Sequence, residues 1–306
     1  MSGTAPSSAS RDLDLHGVWI PLITPFDTAG AVDVSAIERL CHEYLDAGAV
    51  GIVALGTTGE SSALDVGEKR AVIDACAKAC ASRHAQLMVG TGTNSTRTTI
   101  ANTAELADVP AAGSALVVVP YYVRPSESGI VDHYRAVAAA SPVPILAYNV
   151  PYRTGRGLGA SALLEIAGIP NVVGVKQAVG AIDTDTLQVL RDRPDTFHVL
   201  GGDDAFLLAT VLFGGSGAIA ASAHVCTDRF VSMIDCGLTG KVDDARSHHE
   251  ALLGVITAGF AEPNPAVWKG VLHARGRIAT PDVRAPMTNA SATAIERCLA
   301  AIALAH

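Results

Sequence analysis

The sequence carries little charge and has no cluster of basic residues. Of its 306 residues, 17% are charged and 49% are hydrophobic, and the formal net charge is −8. Nucleic acids and anionic membrane surfaces bind proteins through patches of lysine and arginine, so we expect neither to be a partner. The high apolar content instead predicts a large folded core and a small molecule as the ligand.

Cysteine is also scarce, because six residues are too few for a disulfide framework in a chain of this length. Cys76 and Cys80 stand one helical turn apart, a spacing that fits either a redox pair or two small residues buried on one helix face. The packing interpretation is favoured. The low cysteine content makes the cytoplasm the expected location.

The short motifs of metal and nucleotide sites are missing. The ten histidines show no HxH or HExxH spacing, and neither GxGxxG nor a P-loop is present. Asp203 and Asp204 are adjacent acids at a predicted strand end, where they fit either a divalent ion or a cap for the following helix. The cap is the commoner use, so we expect no metal and no nucleotide cofactor.

Long apolar stretches are absent as well. No run of 18 apolar residues indicates a membrane-spanning helix, so the sequence predicts no membrane segment. Residues 1–14, MSGTAPSSASRDLD, are small and polar and lack the apolar centre of a signal peptide. We expect them to form a disordered tail.

What the chain does contain is a regular alternation of short apolar runs and longer helical patterns. Most of the runs are continuously apolar, as in parallel strands that are covered on both faces. They lie at 18–24, 49–56, 86–91, 114–121, 143–149, 172–178, 197–203 and 215–222. Eight strand–helix units in succession predict an α/β fold, a (β/α)₈ TIM barrel, over residues 15–223.

The helical patterns also set expectations for helix ends and for the last part of the chain. The stretch 33–48 has apolar residues at helical spacing, with Ser35 and Glu38 placed as a capping box and Gly48 as a stop. After residue 223 no strand pattern remains. A C-terminal helical extension over residues 224–306 is predicted from helical patterns at 225–238, 241–259, 264–276 and 289–304.

One lysine lies in an unusual place for a charged residue. Lys176 stands in NVVGVKQAVG (171–180), an apolar run near the end of the sixth predicted strand. A lysine there either extends its ammonium into water at the rim or is held dry, which lowers its pKa. A neutral amine attacks the carbonyl of a keto acid and forms a Schiff base, an electron sink for carbon–carbon bond chemistry.

Other residues at the predicted strand ends support the chemical interpretation, since the active sites of such barrels lie there. Tyr148 ends the fifth strand and offers a phenol for proton transfer, with Thr58 as a hydroxyl that passes a proton to it. The glycine-framed loop GTTGE (56–60) offers backbone amides and hydroxyls to a carboxylate. Arg153 offers a bidentate guanidinium to a second carboxylate.

Several motifs together resemble a known family. GTTGES, PYYVRPS, YNVPYRTG, GVKQAVG, GGDDAF and EPNPAVWK are similar, in order and spacing, to the dihydrodipicolinate synthase/N-acetylneuraminate lyase family over residues 17–300. The resemblance implies a pyruvate-dependent class I aldolase on a (β/α)₈ barrel with a C-terminal helical region. It also implies a homotetramer that is built as a dimer of tight dimers.

The resemblance assigns catalytic roles to four residues. Lys176 matches the lysine that forms the Schiff base with pyruvate. Tyr148 and Thr58 match the tyrosine and the threonine of the proton relay. Tyr122 matches a tyrosine that the neighbouring subunit inserts into the site to complete this relay.

The same resemblance implies how the substrates are bound. Thr57 and the backbone of Thr58 match the cradle of the pyruvate carboxylate, and Gly202 and Ile219 match positions with backbone contacts near the substrate. The form YNVPxRTG resembles the synthases of the family. In these enzymes the arginine, here Arg153, binds the carboxylate of L-aspartate 4-semialdehyde.

The implied reaction condenses pyruvate with L-aspartate 4-semialdehyde to 4-hydroxy-tetrahydrodipicolinate, in lysine and diaminopimelate biosynthesis. The covalent imine at Lys176 takes the place of a cofactor. A second pyruvate aldolase activity of the same family, that of a 2-keto-3-deoxy sugar acid or N-acetylneuraminate-type lyase, stays open as the alternative. A catalytically silent barrel is disfavoured, because the lysine, both tyrosines and the threonine are all present.

Overall fold

Eight parallel strands close into a barrel in the computed structural model, which describes residues 13–305. Each strand pairs with its neighbour in sequence, and the eighth pairs with the first. This arrangement confirms the predicted (β/α)₈ barrel. The strands are β1 (Gly17–Pro21), β2 (Gly51–Ala54), β3 (Gln86–Gly90), β4 (Ala112–Val118), β5 (Ile145–Asn149), β6 (Val172–Gln177), β7 (His198–Gly201) and β8 (Gly217–Ile219).

Helices connect the strands around the outside of the barrel and continue after the last strand. Short 3₁₀ turns, Thr57–Gly59 and Ser222–His224 among them, lie in the loops that follow strands. The helices are α1 (Val34–Asp46), α2 (Val66–Ser82), α3 (Thr96–Ala104), α4 (Glu127–Ala140), α5 (Pro151–Thr154), α6 (Ala160–Ala167), α7 (Thr184–Asp192), α8 (Leu207–Leu212), α9 (Thr227–Leu238), α10 (Val242–Gly259), α11 (Ala266–Ala274) and α12 (Ala292–Leu304).

Several strands end earlier than their apolar runs predict. The run 49–56 forms a strand only up to Ala54, and the run 215–222 only up to Ile219. Leu55 then turns the backbone with a φ of 56°, and the 3₁₀ turn Thr57–Gly59 follows. The final residues of these runs are apolar because they line the mouth of the barrel, so composition alone does not separate them from the strand.

The predicted start of α1 is wrong, whereas its predicted stop agrees with the structure. Asp33 caps the helix by accepting a hydrogen bond from the Ala36 amide at 2.9 Å, and the Ser35 hydroxyl donates to the Asp33 carboxylate at 2.7 Å. Ser35 and Glu38 therefore form no capping box, because the aspartate two residues earlier already satisfies the first turn. Gly48 follows the helix end with a φ of 96°.

Two apolar layers stabilise the barrel. Side chains that alternate along each strand point either into the barrel or toward the helices, which gives an inner and an outer core. The outer core lies between the strands and helices and is the larger one. The inner core is formed by Trp19, Val53, Met88, Leu116, Leu146, Tyr148, Leu200, Ile219 and their neighbours.

The cysteines of α2 pack in the outer core and form no disulfide. Cys76 and Cys80 are fully buried, and the nearest thiol to Cys76 is that of Cys41 on α1, with the two sulfur atoms 4.0 Å apart. Burial raises the pKa of Cys80 far above that of a free thiol. A protonated, inaccessible thiol is unreactive, so the structure supports the packing interpretation.

The helices after β8 pack against one another and against the barrel. Trp268 of α11 is fully buried and contacts Phe260 edge-on, with the ring centroids 5.5 Å apart. The turn Ser222–His224 spans the boundary proposed at residue 223, so the division into 15–223 and 224–306 stays a prediction. Most of the predicted tail, residues 1–12, lies outside the described residues. No helix that the structure describes is long and apolar enough to cross a bilayer.

We expect Gly259→Ala to destabilise the C-terminal region. A Cβ atom at Gly259 would lie 1.6 Å from the Trp268 ring, which overfills the core and costs about 1–3 kcal/mol of unfolding free energy. Gly254→Ala, in the same helix, is the matched control, since the nearest atom to its Cβ is 3.9 Å away. Urea unfolding measures both. Equal stability of the two variants would contradict the packing described.

Candidate active site

Strand β6 places Lys176 inside the barrel rather than at its wet rim. The side chain is 7% exposed, and the residue pairs in register with Tyr148 on β5. Its Nζ atom lies 4.5 Å from the centroid of the Tyr148 ring. No carboxylate in the described part of the chain is within ion-pair distance of this nitrogen. The structure therefore favours the dry lysine over the solvated one.

Burial sets the protonation of this amine. Removing the ammonium from water lowers the pKa of Lys176 from 10.5 to about 8, and the charges of Asp204 and Asp203 partly oppose the change. The neutral fraction at pH 7 is therefore roughly 300 times that of an exposed lysine. An amine of this kind is a nucleophile near neutral pH.

Gly202 makes room for the lysine. A Cβ atom at this position would lie 2.7 Å from Cε and 2.9 Å from Cγ of Lys176, so no larger residue fits beside the extended side chain. The Gly202 amide donates to the Gln177 carbonyl at 2.9 Å, which holds the two loops together. Ile219 lies in the inner core with 1% exposure. Both predicted residues thus border the interior around the lysine.

Tyr148 is a neutral phenol at the inner end of a cavity. Burial raises the pKa of Tyr148 above its usual value of 10, and the Thr57 hydroxyl and the Arg153 charge partly offset the rise. The cavity has a volume of about 570 Å³. Its walls come from the carboxyl ends of β2 to β5 and from α2 and α3, and they include Thr57, Thr91, Val118, Tyr121, Tyr148 and Arg153.

Thr57, rather than Thr58, contacts Tyr148 in the structure. The side chain of Thr57 reaches the Tyr148 phenol and lines the cavity. The hydroxyl of Thr58 instead accepts a hydrogen bond from the Asn264 side chain at 2.9 Å. Successive side chains of a 3₁₀ turn point about 120° apart, so only one of the two can face the tyrosine. The expectation that Thr58 contacts Tyr148 is therefore wrong.

Asn264 is a residue of the site that sequence reasoning missed. It precedes α11 and reaches the GTTGE loop across 206 residues of sequence. Its amide donates to Thr58, and an amide donor cannot accept the hydroxyl proton in return. The Thr58 hydroxyl oxygen therefore accepts the hydrogen bond from Asn264, and the hydroxyl hydrogen can be donated to a different group. The motif EPNPAVWK contains this residue, but nothing within the motif shows what it binds.

A buried ion pair fixes the same loop from a second direction. Lys269 of α11 donates to Glu60 at 2.9 Å and to the Thr24 carbonyl at 2.8 Å, and both charged side chains are almost fully buried. Glu60 also accepts from the Arg284 amide at 2.7 Å and has a left-handed φ of 54°. The C-terminal helices therefore hold the loop that carries Thr57.

Arg153 lies at the opposite wall of the cavity, at the end of α5. Its guanidinium carbon is 5.5 Å from the centroid of the Tyr152 ring. No carboxylate of the residues described here forms an ion pair with it. It is an exposed cation in a cavity wall and is free to bind an anionic ligand.

Tyr122 is the one predicted catalytic residue that its own chain leaves away from the site. The side chain is 86% exposed and does not line the cavity, although the adjacent Tyr121 does. The backbone at Tyr122 has a φ of 71°, an uncommon conformation for a bulky residue. The loop therefore projects an aromatic side chain outward at the expense of backbone strain.

The two aspartates after β7 accept hydrogen bonds from other loops and do not cap the following helix. Asp203 accepts from the Tyr152 hydroxyl at 3.3 Å and from the Gly180 amide at 2.5 Å. Asp204 accepts from the Ser222 amide at 2.6 Å, and its burial raises its pKa to about 6. The predicted cap is wrong because both carboxylates bind donors from other loops. Within residues 13–305 no group of three potential ligands is placed to hold a metal ion.

Comparison with known proteins agrees with this geometry. The sequence profile of the dihydrodipicolinate synthetase family matches residues 14–304. The chain belongs to this family. The 4-hydroxy-tetrahydrodipicolinate synthase of Neisseria meningitidis serogroup C (strain 053442) is 38% identical over 273 residues, which cover 89% of this chain and 92% of that enzyme.

Solved structures of the family have the same fold. The chloride-inhibited dihydrodipicolinate synthase of Acinetobacter baumannii, solved in complex with pyruvate, has a TM-score of 0.91 at 31% identity and covers 95% of this chain and 98% of that one. A monomeric dihydrodipicolinate synthase variant also has a TM-score of 0.91, at 28% identity, with 95% and 96% of the two chains covered. The barrel and its C-terminal helices are thus those of the family.

We expect Lys269→Met to lower the free energy of unfolding by about 3–5 kcal/mol, because it leaves the buried Glu60 carboxylate without its cation. Urea unfolding measures the loss. Adding Glu60→Gln to this variant should restore part of the stability, since no uncompensated charge then remains. Lys78→Met removes the lysine of an exposed pair with Glu38 and should cost far less. Strictly additive effects of the two buried substitutions would contradict the pairing.

Proposed function

We propose that this protein condenses pyruvate with L-aspartate 4-semialdehyde and forms 4-hydroxy-tetrahydrodipicolinate. The observation that carries the proposal is the buried amine of Lys176, with its pKa lowered to about 8, against the Tyr148 phenol in a barrel of this family. An amine whose pKa is lowered to about 8 has a neutral fraction of about one tenth at pH 7, which suits imine formation with a keto acid. The reaction class is that of a lyase with a Schiff-base mechanism.

The first half of the reaction takes place at Lys176. Its Nζ atom attacks C2 of pyruvate, and loss of water gives the imine. Each of these steps moves a proton, and the nearby neutral phenol of Tyr148 suits that transfer because it is a weak acid. We assign the exchange of protons with Tyr148 to Thr57, whose hydroxyl reaches the phenol. Loss of a proton from C3 then gives the nucleophilic enamine.

The carboxylate of pyruvate has a binding site in the GTTGE loop. A 3₁₀ turn leaves its first amides without partners inside the turn, and these amides attract an anion. Thr58 starts this turn with Thr57, and its position is held by Asn264. We therefore assign the carboxylate to the amides and hydroxyl at Thr57 and Thr58, with Gly202 and Ile219 at the opposite side.

The second substrate is bound through Arg153. The cavity leads from this guanidinium to Tyr148, and its lining combines apolar side chains with hydroxyl, amide and charged groups. A short aldehyde with a carboxylate at its far end fits such a cavity, since the guanidinium binds the carboxylate and leaves the aldehyde carbon near the enamine. L-aspartate 4-semialdehyde has this chemistry. The enamine carbon bonds to the aldehyde carbon, whose oxygen takes up a proton, and the amino group of the semialdehyde then attacks the imine carbon, which closes the ring and releases Lys176 as the free amine.

Tyr122 is proposed to act in a second copy of the chain. Its exposed position and positive φ support insertion into a neighbouring site, where the phenol would extend the proton relay from Thr57. This assignment requires at least a dimer, and the homotetramer implied by the resemblance remains a proposal. The covalent imine makes an organic cofactor or a metal unnecessary in this mechanism.

The decisive experiment follows pyruvate consumption with L-aspartate 4-semialdehyde and with a panel of sugar aldehydes. We expect rapid turnover with the semialdehyde, and no turnover by Lys176→Ala, because the nucleophile is gone. Borohydride reduction in the presence of pyruvate should add one pyruvate-derived group to the peptide that carries Lys176. Turnover with sugar aldehydes alone, or an adduct on another lysine, would overturn the proposal.

Arg153→Ala separates the two halves of the reaction in the same assay. Loss of the bidentate contact should raise the KM for the semialdehyde by roughly 100-fold, equivalent to about 3 kcal/mol. The borohydride adduct with pyruvate should form as in the unmodified protein. Equal loss of both readouts would exclude the role assigned to this arginine.

Imine formation should depend on pH through Lys176. The neutral amine is the reactive form, so the rate of trapping with pyruvate should rise with pH and reach half its maximum near 8. The negative charge of Asp204 raises the pKa of Lys176, so Asp204→Asn should move this midpoint to lower pH. Cyanoborohydride trapping at a series of pH values measures both. A midpoint near 10.5 would show that the lysine is solvated.

A further inference from the structure

The side chains of Asn149 and Gln177 form a pair that the mechanism above does not use. They are the last residues of β5 and β6, and they are the next pair in register after Tyr148 and Lys176. Successive side chains of a strand point to opposite faces of the sheet. Since Lys176 lies inside the barrel, Gln177 points outward, toward the helices.

Hydrogen bonds connect the two side chains to each other and to α7. The Asn149 amide group donates to the side-chain oxygen of Gln177 at 3.1 Å, and the Gln177 amide group donates to the Thr186 hydroxyl at 3.0 Å. All three residues are buried. The Oδ1 atom of Asn149 has no hydrogen-bond partner within residues 13–305, so the one side-chain hydrogen bond of Asn149 there is to Gln177.

The backbone of Gln177 is bound at the same point. Its carbonyl accepts from the Gly202 amide after β7 at 2.9 Å, and the amide of the next residue, Ala178, donates to the Asn149 carbonyl at 2.9 Å. Both strands end at this pair, so no further ladder bonds lie beyond it to hold them together. Gln177 therefore connects the ends of β5 and β6 with α7 and with the residue that makes room for the lysine.

The Gln177 side chain makes these contacts without a charge, which bears on the amine carried by the preceding residue. The charges that act on Lys176 are those of Asp204 and Asp203, which raise its pKa, and that of Arg153, which lowers it. A carboxylate in place of the Gln177 amide would add a negative charge one residue from the lysine. That charge would favour the ammonium form of Lys176, which is unreactive toward a carbonyl.

The helix that Gln177 faces also bears on such a charge. Asp183 and Asp185 lie at the start of α7, and their carboxylates accept hydrogen bonds from the amides of Thr186 and Ala160. A carboxylate at position 177 would have the Thr186 hydroxyl as a donor and would lie near the N-terminus of the helix, which attracts anions. We therefore expect a glutamate at this position to be ionised.

We propose that Gln177 is a positioning residue for imine formation: it fixes the ends of β5 and β6 behind Lys176 and Tyr148, and it does so with an uncharged side chain. The proposal rests on the function proposed above, because it concerns the lysine of the same reaction. Gln177 faces away from the barrel interior and takes part in no proton transfer. Loss of its hydrogen bonds should slow imine formation, and an added charge should change the pH at which the imine forms.

Two substitutions test the two parts of the proposal. Gln177→Met keeps the approximate length of the side chain and removes its hydrogen bonds, whereas Gln177→Glu keeps an acceptor for Asn149 and adds a negative charge. Trapping with pyruvate and cyanoborohydride at a series of pH values gives a plateau rate and a midpoint for each variant. We expect the plateau rate of Gln177→Met to fall by about 10-fold with an unchanged midpoint.

In Gln177→Glu we expect the opposite pattern. The midpoint should rise by about half a pH unit or more, while the plateau rate stays within about 2-fold of that of the unmodified protein. An unchanged plateau rate in Gln177→Met, or an unchanged midpoint in Gln177→Glu, overturns the proposal. The midpoint of Gln177→Glu remains a test if Gln177→Met does not fold, which urea unfolding of each variant shows.

The same two substitutions at Gln188, an exposed residue of α7, are the matched controls. They should leave the plateau rate and the midpoint unchanged, and equal effects at positions 177 and 188 would also overturn the proposal. If the unmodified protein forms no adduct at Lys176, the proposed function itself fails. An adduct at Lys176 without turnover of the semialdehyde would instead contradict the proposed second substrate and leave the test of Gln177 intact.

Discussion

The exclusion of water from one amine is the constraint on which the rest of the site depends. Lys176 is held in the barrel by its place on β6, by the ring of Tyr148 and by the absence of a side chain at Gly202. Each of these neighbours is apolar or neutral at the point of contact, so the ammonium has no strong partner and the pKa of the amine is lowered. The charges of Asp203 and Asp204 raise the pKa of Lys176 and so partly oppose this decrease. Both carboxylates accept hydrogen bonds from other loops. The barrel interior therefore keeps water away from the Lys176 amine, and the loops fix the positions of the side chains around it.

The conformation of the loops depends on contacts between residues that are far apart in the sequence. The GTTGE loop carries Thr57, which contacts the Tyr148 phenol, and its conformation depends on Asn264 and Lys269 in the C-terminal region. A left-handed backbone at Glu60 is tolerated because its carboxylate is bound by a buried cation and a backbone amide. Asp203 connects other loops in a similar way, since its carboxylate accepts from the Tyr152 hydroxyl after β5 and from the Gly180 amide after β6.

The fold could be predicted from the sequence because its signals are local and repeated eight times. Apolar runs of strand length and helical periodicity identify each unit without knowledge of its neighbours, and Lys176 is conspicuous within such a run. The details that failed depend on which partner lies opposite. The spacing of Ser35 and Glu38 predicts a capping box, whereas Asp33, two residues earlier, accepts the hydrogen bond at the helix start. Thr57 and Thr58 are adjacent residues of the same type, so the sequence does not show which of them faces Tyr148. The orientation of the 3₁₀ turn decides it. Asn264 and Tyr152 are ordinary residues until the structure shows what they contact.

The anchoring of the GTTGE loop by residues more than 200 positions away has a consequence for synthesis of the protein. The ribosome completes all eight strands well before it completes α11. A nascent chain can then have Lys176 and Tyr148 in place while the loop that carries Thr57 still lacks both Asn264 and Lys269. Contacts of such long sequence separation form late and slowly. Lys176 and Tyr148 are thus synthesised before the residues that hold the Thr57 loop, which lie in about the last seventh of the polypeptide.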